Sequence, residues 1–394
     1  MTAGPGSRGS PGRTWLLGTV TVVLAILATL ALAELLARLL PVHEPLLRAE
    51  LDEAQPVARY EPDRTVTWSH GPFLDLVNRV RINRAGFVND QEYDPADPRP
   101  LLAVVGDSFV EALQVPWAET FHGRLARELA PERRVYSFGL SGAPLSQYLH
   151  HVGWLRGAYA PRWLVVVVIA NDFDESLLGP TSRPGFHYMV DSTSGELVAI
   201  PFRRPAWRRL VLHSRFASYL FSNVQILELG RRSDRAAGAP PSRPGELEAV
   251  ADRFVERLAP LAGAPPERIL LVLDADRPAI YGGVRSAVRP LMVHLAARAA
   301  AAGYPVLDLD PLMAADFARH GRRFELPTDG HWNAYAHGLV ARAILEAVGP
   351  SWFGLPVGTG VPRGTGEPAS PAAPIGTRST SKGMRKRTRV KTTA

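Results

Sequence analysis

A chain of 394 residues, 46% of them hydrophobic, can bury a large core in one large domain or two ordinary ones. It has no cysteine, which excludes disulfides, thiolate metal sites, lipoprotein anchoring and cysteine nucleophiles. The net charge of +7 resides in residues 352–394, where eight basic residues face one acid, Glu367; the rest sums to zero and has no lysine, so the body is no basic nucleic-acid binder.

Residues 1–13 are small, polar and basic, with Arg8 and Arg13. Trp15–Ala33 then gives nineteen uncharged residues, enough to span a bilayer as a helix. Basic residues ahead of the span and none just after it put the amino terminus inside and the bulk of the chain outside. Ala31-Leu32-Ala33 resembles the cleavage site of a signal peptide. The helical pattern nevertheless continues through Leu40 to Pro41, which favours an uncleaved anchor over 14–40. Residues 41–99 form a Pro- and Asp-rich juxtamembrane extension, where Val77–Val88 alternates into Arg84-Ala85-Gly86 as a short hairpin. Pro95, Pro98 and Pro100 make a linker.

Leu101–Val105 is an apolar run stopped by Gly106-Asp107-Ser108, the pattern of a buried parallel strand ending in a turn. Phe121, Leu125 and Leu129 mark a helix within Trp117–Leu129. Arg134–Phe138 reads as a strand before Gly139-Leu140-Ser141-Gly142, and 144–157 as a helix. Arg162–Ala170 is a strongly apolar strand ending at Asn171-Asp172. From about 175 to 245 the periodicity weakens, as in an insertion covering a substrate cleft. The rhythm resumes with a helix over Glu246–Leu261, a strand over Arg268–Leu273, a helix over Val284–Ala302 and a strand over Pro305–Leu309. A loop carries Thr328 to Asn333, and a last helix runs to about Val348. Alternating strands and helices predict a parallel sheet with helices on both faces, within one domain at 100–350. Residues 351–394 read as a disordered basic tail, either solvated or tethered to anionic envelope polymers or lipid headgroups.

Ser108, Gly142 and Asn171 follow predicted strands, and Asp329 with His331 precedes the final helix. In a parallel sheet the strand carboxyl ends share one edge, so these residues can converge there. Acyl transfer needs such a set. A serine hydroxyl needs an imidazole to take its proton, and the imidazole needs a carboxylate to fix its tautomer. The tetrahedral oxyanion needs preorganised donors, and losing one typically costs roughly 3–4 kcal/mol.

The four blocks GDSF (106–109), SFGLSG (137–142), AND (170–172) and DGHWN (329–333) together resemble the GDSL, or SGNH, hydrolase family over roughly 100–348. The resemblance implies a three-layer α/β/α, flavodoxin-like parallel sheet. It implies Ser108 as nucleophile, His331 as base and Asp329 as its orienter, with Ser108, Gly142 and Asn171 as the oxyanion donors. Phe109 stands where the family name has leucine. Only Gly330 separates Asp329 from His331, whereas many family esterases have two residues there. Asp-x-His-Trp is similar to the form in SGNH sugar O-acetyltransferases, in some of which the pair precedes the serine.

Local alternatives accompany these readings. Gly139 competes with Gly142, Asp107 reads as a turn-former, and Asn171 could cap the next helix. His337 reads as a surface or packing histidine. His150, His151, His187 and His320 have no partner at metal-ligand spacing, and no G-x-G-x-x-G follows a strand, so neither metal nor cofactor is expected. The sequence thus points to a membrane-anchored, extracytoplasmic serine esterase acting on a small-molecule or glycan O-acyl, especially O-acetyl, ester. The alternatives are an O-acyltransferase modifying an envelope or exported polysaccharide, and a catalytically silent envelope protein.

Overall fold

The computed structural model describes residues 11–51, 56–180, 182–204, 213–226 and 245–355. Five strands form an all-parallel sheet: β3 (Leu101–Gly106), β4 (Arg134–Gly139), β5 (Trp163–Val168), β8 (Ile269–Leu273) and β9 (Val306–Asp308). Their order is β4-β3-β5-β8-β9, the flavodoxin-like order, so the expected fold class is observed. The first strand, β3, lies between the second and third, and the connections leave it in opposite directions. Its carboxyl end is therefore the switch point at which ligands of such sheets bind.

The alternation of side chains along β3 divides the interior in two. Leu101, Ala103 and Val105 join a core with α4 (Leu145–Ala158), α6 (Glu246–Ala262) and α8 (Arg289–Ala301). Leu102 and Val104 join the opposite core with α3 (Phe121–Glu128), α9 (Leu309–His320) and α10 (Ala334–Trp352). All six residues of each of β3, β4 and β5 are buried, which explains the unbroken apolar runs of β3 and β5.

The extension at 41–99 packs into the same compact unit, with Tyr60, Phe87 and Tyr93 in the first core. Its hairpin differs from expectation. β1 (Arg64–His70) pairs antiparallel with β2 (Leu76–Ile82) around a turn at 71–75, and Arg84-Ala85-Gly86 closes only a single bridge, Ile82 to Val88. The pairing is chosen by burial: Val66, Trp68 and Val80 cluster on Leu113. Ahead of it, α1 (Pro11–Leu39) is the one helix among the described residues long and apolar enough to cross a membrane.

Further differences have local causes. The helix expected from Val284 begins at Arg289, because Pro290 suits only a first turn. Helix α9 was not anticipated: it starts on the cap Asp308, whose side chain accepts from the Asp310 N–H, with no turn residue to announce it. The expected loop at 328–333 is a small hairpin of β10 (Glu325–Leu326) and β11 (Asp329–Trp332). Helix α10 breaks at Gly349 (φ +66°), next to the expected end at Val348, and a further turn to Trp352 leads to Phe353, buried on Trp163, so Trp352 and Phe353 pack on the core rather than belong to the tail. Within the expected insertion, β6 (His187–Met189) pairs with β7 (Leu197–Ala199), and α5 (Arg215–Ser218) continues into a π-helical turn, Tyr219–Asn223. The remainder of the tail and insertion readings lies outside the described residues.

Candidate active site

Ser108 opens a short helix, α2 (Ser108–Glu111), directly after β3. Asp107 caps it by accepting from the Phe109 N–H at 2.9 Å, as expected of a turn-former. Asp329 and His331 are neighbours but one on β11, and in an extended strand residues i and i+2 point to the same side. One intervening glycine is therefore enough to set acid beside base. His331 Nδ1 donates to Asp329 Oδ1 at 2.5 Å, and the same oxygen accepts the His331 N–H at 2.9 Å. The other ring nitrogen, Nε2, accepts from Ser108 Oγ at 2.8 Å. The structure thus joins Asp329, His331 and Ser108 in one relay, although Ser108 and His331 lie 223 residues apart. Burial raises the Asp329 carboxyl, but its bonds to His331 prevail and hold it below the ordinary range.

Gly142 lies in the turn after β4, and Asn171 in the 3₁₀ turn after β5 (Ala170–Asp172). β4 and β5 flank β3, so both turns rise beside Ser108 at one sheet edge. The two competing glycines differ physically. Gly139 pairs with Gly106 and touches α2: a Cβ there would lie 2.3 Å from the Glu111 nitrogen. Gly142 has φ +77° and, among the described residues, no hydrogen-bond acceptor for its N–H. Asn171 is exposed and does not cap the following 3₁₀ turn; its side chain meets Glu175, which pairs with Arg183 at 3.6 Å. Arg183, from the insertion, sits against Gly142, where an added methyl would fall 2.0 Å from its Nη1. His337 is a packing residue, buried against Phe121 and accepting from the Phe121 N–H at 3.2 Å.

Several contacts at the site escaped the sequence reading. Gln114 Nε2 lies 3.5 Å from Asp329 Oδ2 and 2.9 Å from His331 Nδ1. Because Nδ1–H is committed to Asp329, the amide acts by donating to the second carboxylate oxygen. Replacing Gln114 by Ala should lower turnover about fivefold to tenfold, the worth of one such bond, measured as kcat with KM unchanged. Arg277 Nη1 donates to the Gly330 carbonyl at 2.6 Å, its Nη2 pairs with Asp274 at 3.1 Å, and its guanidinium stacks on Phe109. Asp274 also accepts from Trp332 Nε1 at 3.0 Å, so the end of β8 clamps both flanks of His331. On the other side Arg48 donates to the Ser141 carbonyl at 2.9 Å, and the buried Glu111 accepts from Ser141 Oγ. An acid at a strand end was the only available signal, and Asp274 has it.

Two buried carboxyls stand behind the serine. Burial pushes Asp107 up to about 6, and burial with the charge of Asp107 drives Asp172 well above the ordinary range. Asp172 accepts from the Ile169 N–H at 2.9 Å and Tyr148 Oη at 3.0 Å, fixing the turn that carries Asn171. A raised folded pKa penalises the folded state above the unfolded value. Wild-type stability is therefore expected to fall as pH rises from about 4, through the Asp107 contribution up to about pH 6 and through that of Asp172 beyond it. Asp107→Asn should flatten that slope between about pH 4 and 6 and gain about 3 kcal/mol at pH 8, read from urea unfolding in detergent at both ends of the range. An unchanged slope in the variant would place the titration elsewhere.

No metal-holding group of three or more His, Asp or Glu occurs among the described residues. In comparisons with known proteins, no family model and no curated protein matches the chain. Among solved structures it is similar to LAE5, an alpha/beta hydrolase enzyme from the metagenome of Lake Arreo, Spain, at 16% identity over 63% of this chain and 94% of that one, with TM-score 0.37. The lipase/acylhydrolase from Enterococcus faecalis gives 14% identity over 63% and 95%, TM-score 0.37. Axe2, an acetylxylan esterase from Geobacillus stearothermophilus, gives 15% over 64% and 95%, TM-score 0.36. At such identities and TM-scores the likeness assigns neither activity nor substrate to this chain.

Proposed function

We propose that this chain is a serine esterase of the SGNH type, anchored by α1 and acting outside the cytoplasm on O-acyl, especially O-acetyl, esters. The carrying observation is the unbroken relay Asp329–His331–Ser108, at 2.5 and 2.8 Å, on the carboxyl edge of the sheet.

His331 Nε2 takes the hydroxyl proton as Ser108 Oγ attacks the ester carbonyl, and Asp329 steadies the imidazolium. The Ser108 and Gly142 N–H groups and the Asn171 amide hold the oxyanion. Collapse releases the alcohol, protonated by His331, and leaves an acyl-Ser108. Water, activated by the same imidazole, then frees the acid. A glycan hydroxyl in place of water would make the protein a transferase, a second reading favoured by the Asp-Gly-His-Trp spacing.

An activated acetyl ester, quenched with acid within one turnover, should leave an acetyl group on the peptide containing Ser108, detected by mass spectrometry. Turnover by the wild type without that adduct would defeat the covalent route. Product analysis with an acyl donor plus glycan then separates hydrolysis from transfer.

A further inference from the structure

The uncharged stretch of α1 ends at Ala33, and nineteen residues of helix measure about 28 Å, the depth of a hydrocarbon core. The next residue, Glu34, is already held by the body. Its carboxylate accepts from Ser214 Oγ at 2.8 Å and from the Arg215 and Phe216 N–H groups at 3.1 and 3.0 Å. One turn on, Arg38 donates to the His213 carbonyl at 3.3 Å. Helix α5 therefore sits at the level where α1 leaves the apolar layer.

Two apolar side chains project from segments fastened there. Phe221, 46% exposed, lies in the π-helical turn that continues α5. Phe73, 88% exposed, is at the tip of the β1–β2 hairpin, whose Pro72 carbonyl accepts from Tyr219 Oη at 2.8 Å. They are the only exposed phenylalanines among the described residues. Asn223 fastens the same unit, donating to Ser69 Oγ at 3.0 Å and accepting from the His43 N–H at 3.2 Å. The tip is held in a costly form, with Leu74 at φ +58°. Large apolar groups beside a membrane span suit the headgroup boundary, as in interfacial anchors.

The hairpin also backs the catalytic candidates. Asn78 donates to the Leu113 carbonyl at 2.9 Å, and the next residue, Gln114, touches His331.

We infer that Phe73 and Phe221 seat in the bilayer interface beside α1 and hold the Ser108 site at the lipid surface, where it takes an ester carried on a membrane-borne molecule. The substrate clause rests on the esterase reading; the docking clause does not.

The natural absence of cysteine allows single labels. Phe73→Cys, Leu27→Cys in mid-α1 and Val293→Cys on α8 are each introduced into the full chain, coupled to an environment-sensitive dye and reconstituted in phosphatidylcholine–phosphatidylglycerol vesicles. A shallow nitroxide lipid should quench the Phe73→Cys label at least about twofold more than the Val293→Cys label, and a deep nitroxide should quench Leu27→Cys. Equal quenching at positions 73 and 293 with position 27 quenched overturns the docking while leaving the anchor intact. An unquenched position 27 overturns both. In the Phe73→Asp/Phe221→Asp variant, turnover of a vesicle-embedded ester relative to a soluble one should fall about fivefold. An unchanged ratio overturns the substrate clause, whereas no wild-type turnover of either ester counts against the esterase reading and leaves the quenching result standing.

Discussion

Ser108→Ala is expected to lower ester turnover by about 10⁴–10⁶-fold and to abolish labelling by a fluorophosphonate probe. The size follows from the geometry. The Ser108 hydroxyl, 2.8 Å from His331 Nε2, is the only protein nucleophile among the described residues that the relay activates. With Oγ gone, the proposed oxyanion donors remain, and such groups leave only modest acceleration over water. The variant should fold normally, since Asp107 still caps α2 through the Phe109 N–H. Titration of labelled protein against time separates this outcome from a silent protein. Equal labelling of wild type and variant, or of neither, would remove Ser108 from the chemistry.

Asp329→Asn should cost about 10⁴ in kcat with little change in KM. The asparagine keeps the side-chain shape, and its oxygen can accept the His331 N–H only if it also faces Nδ1, because in the wild type the single oxygen Oδ1 takes both bonds. Its amide, however, can present a donor toward Nδ1, which favours the imidazole tautomer whose Nε2 carries a proton. That tautomer cannot receive the serine hydroxyl. The loss should ease at alkaline pH as serine ionises unaided, so a rate profile from pH 6 to 10 distinguishes a tautomer effect from collapse of β11.

Much of the sheet was legible because its strands are short, buried on both faces and end at marked turns. Leu101–Gly106, Arg134–Gly139 and Trp163–Val168 fall within a residue or two of expectation. The exceptions share a cause. Helix α9 carries Leu309, Leu312, Met313 and Phe317 at helical spacing, yet it follows β9 without a break, so the strand pattern ran into it. The β1–β2 pairing depended on which alternating segment could cover Leu113, a choice no local pattern holds.

At the candidate site the sequence alone determined the chemistry on offer: a serine, two turn residues and an acid–base pair at strand ends, beside an apolar span and a cysteine-free body. The sequence put Asp329 and His331 one residue apart on a loop; the strand that sets their side chains on one side emerged only in the fold. Tertiary structure decided the rest. The order β4-β3-β5-β8-β9 set the Gly142 and Asn171 turns on either side of Ser108, and the β10–β11 hairpin delivered His331 to it. Gln114, Arg277, Asp274 and Arg48 entered through contacts made across the fold, and Glu34 met α5 across 180 residues. Hydrophobic period and turn chemistry act over a few residues and are written in the chain; which distant polar groups meet depends on how the layers pack.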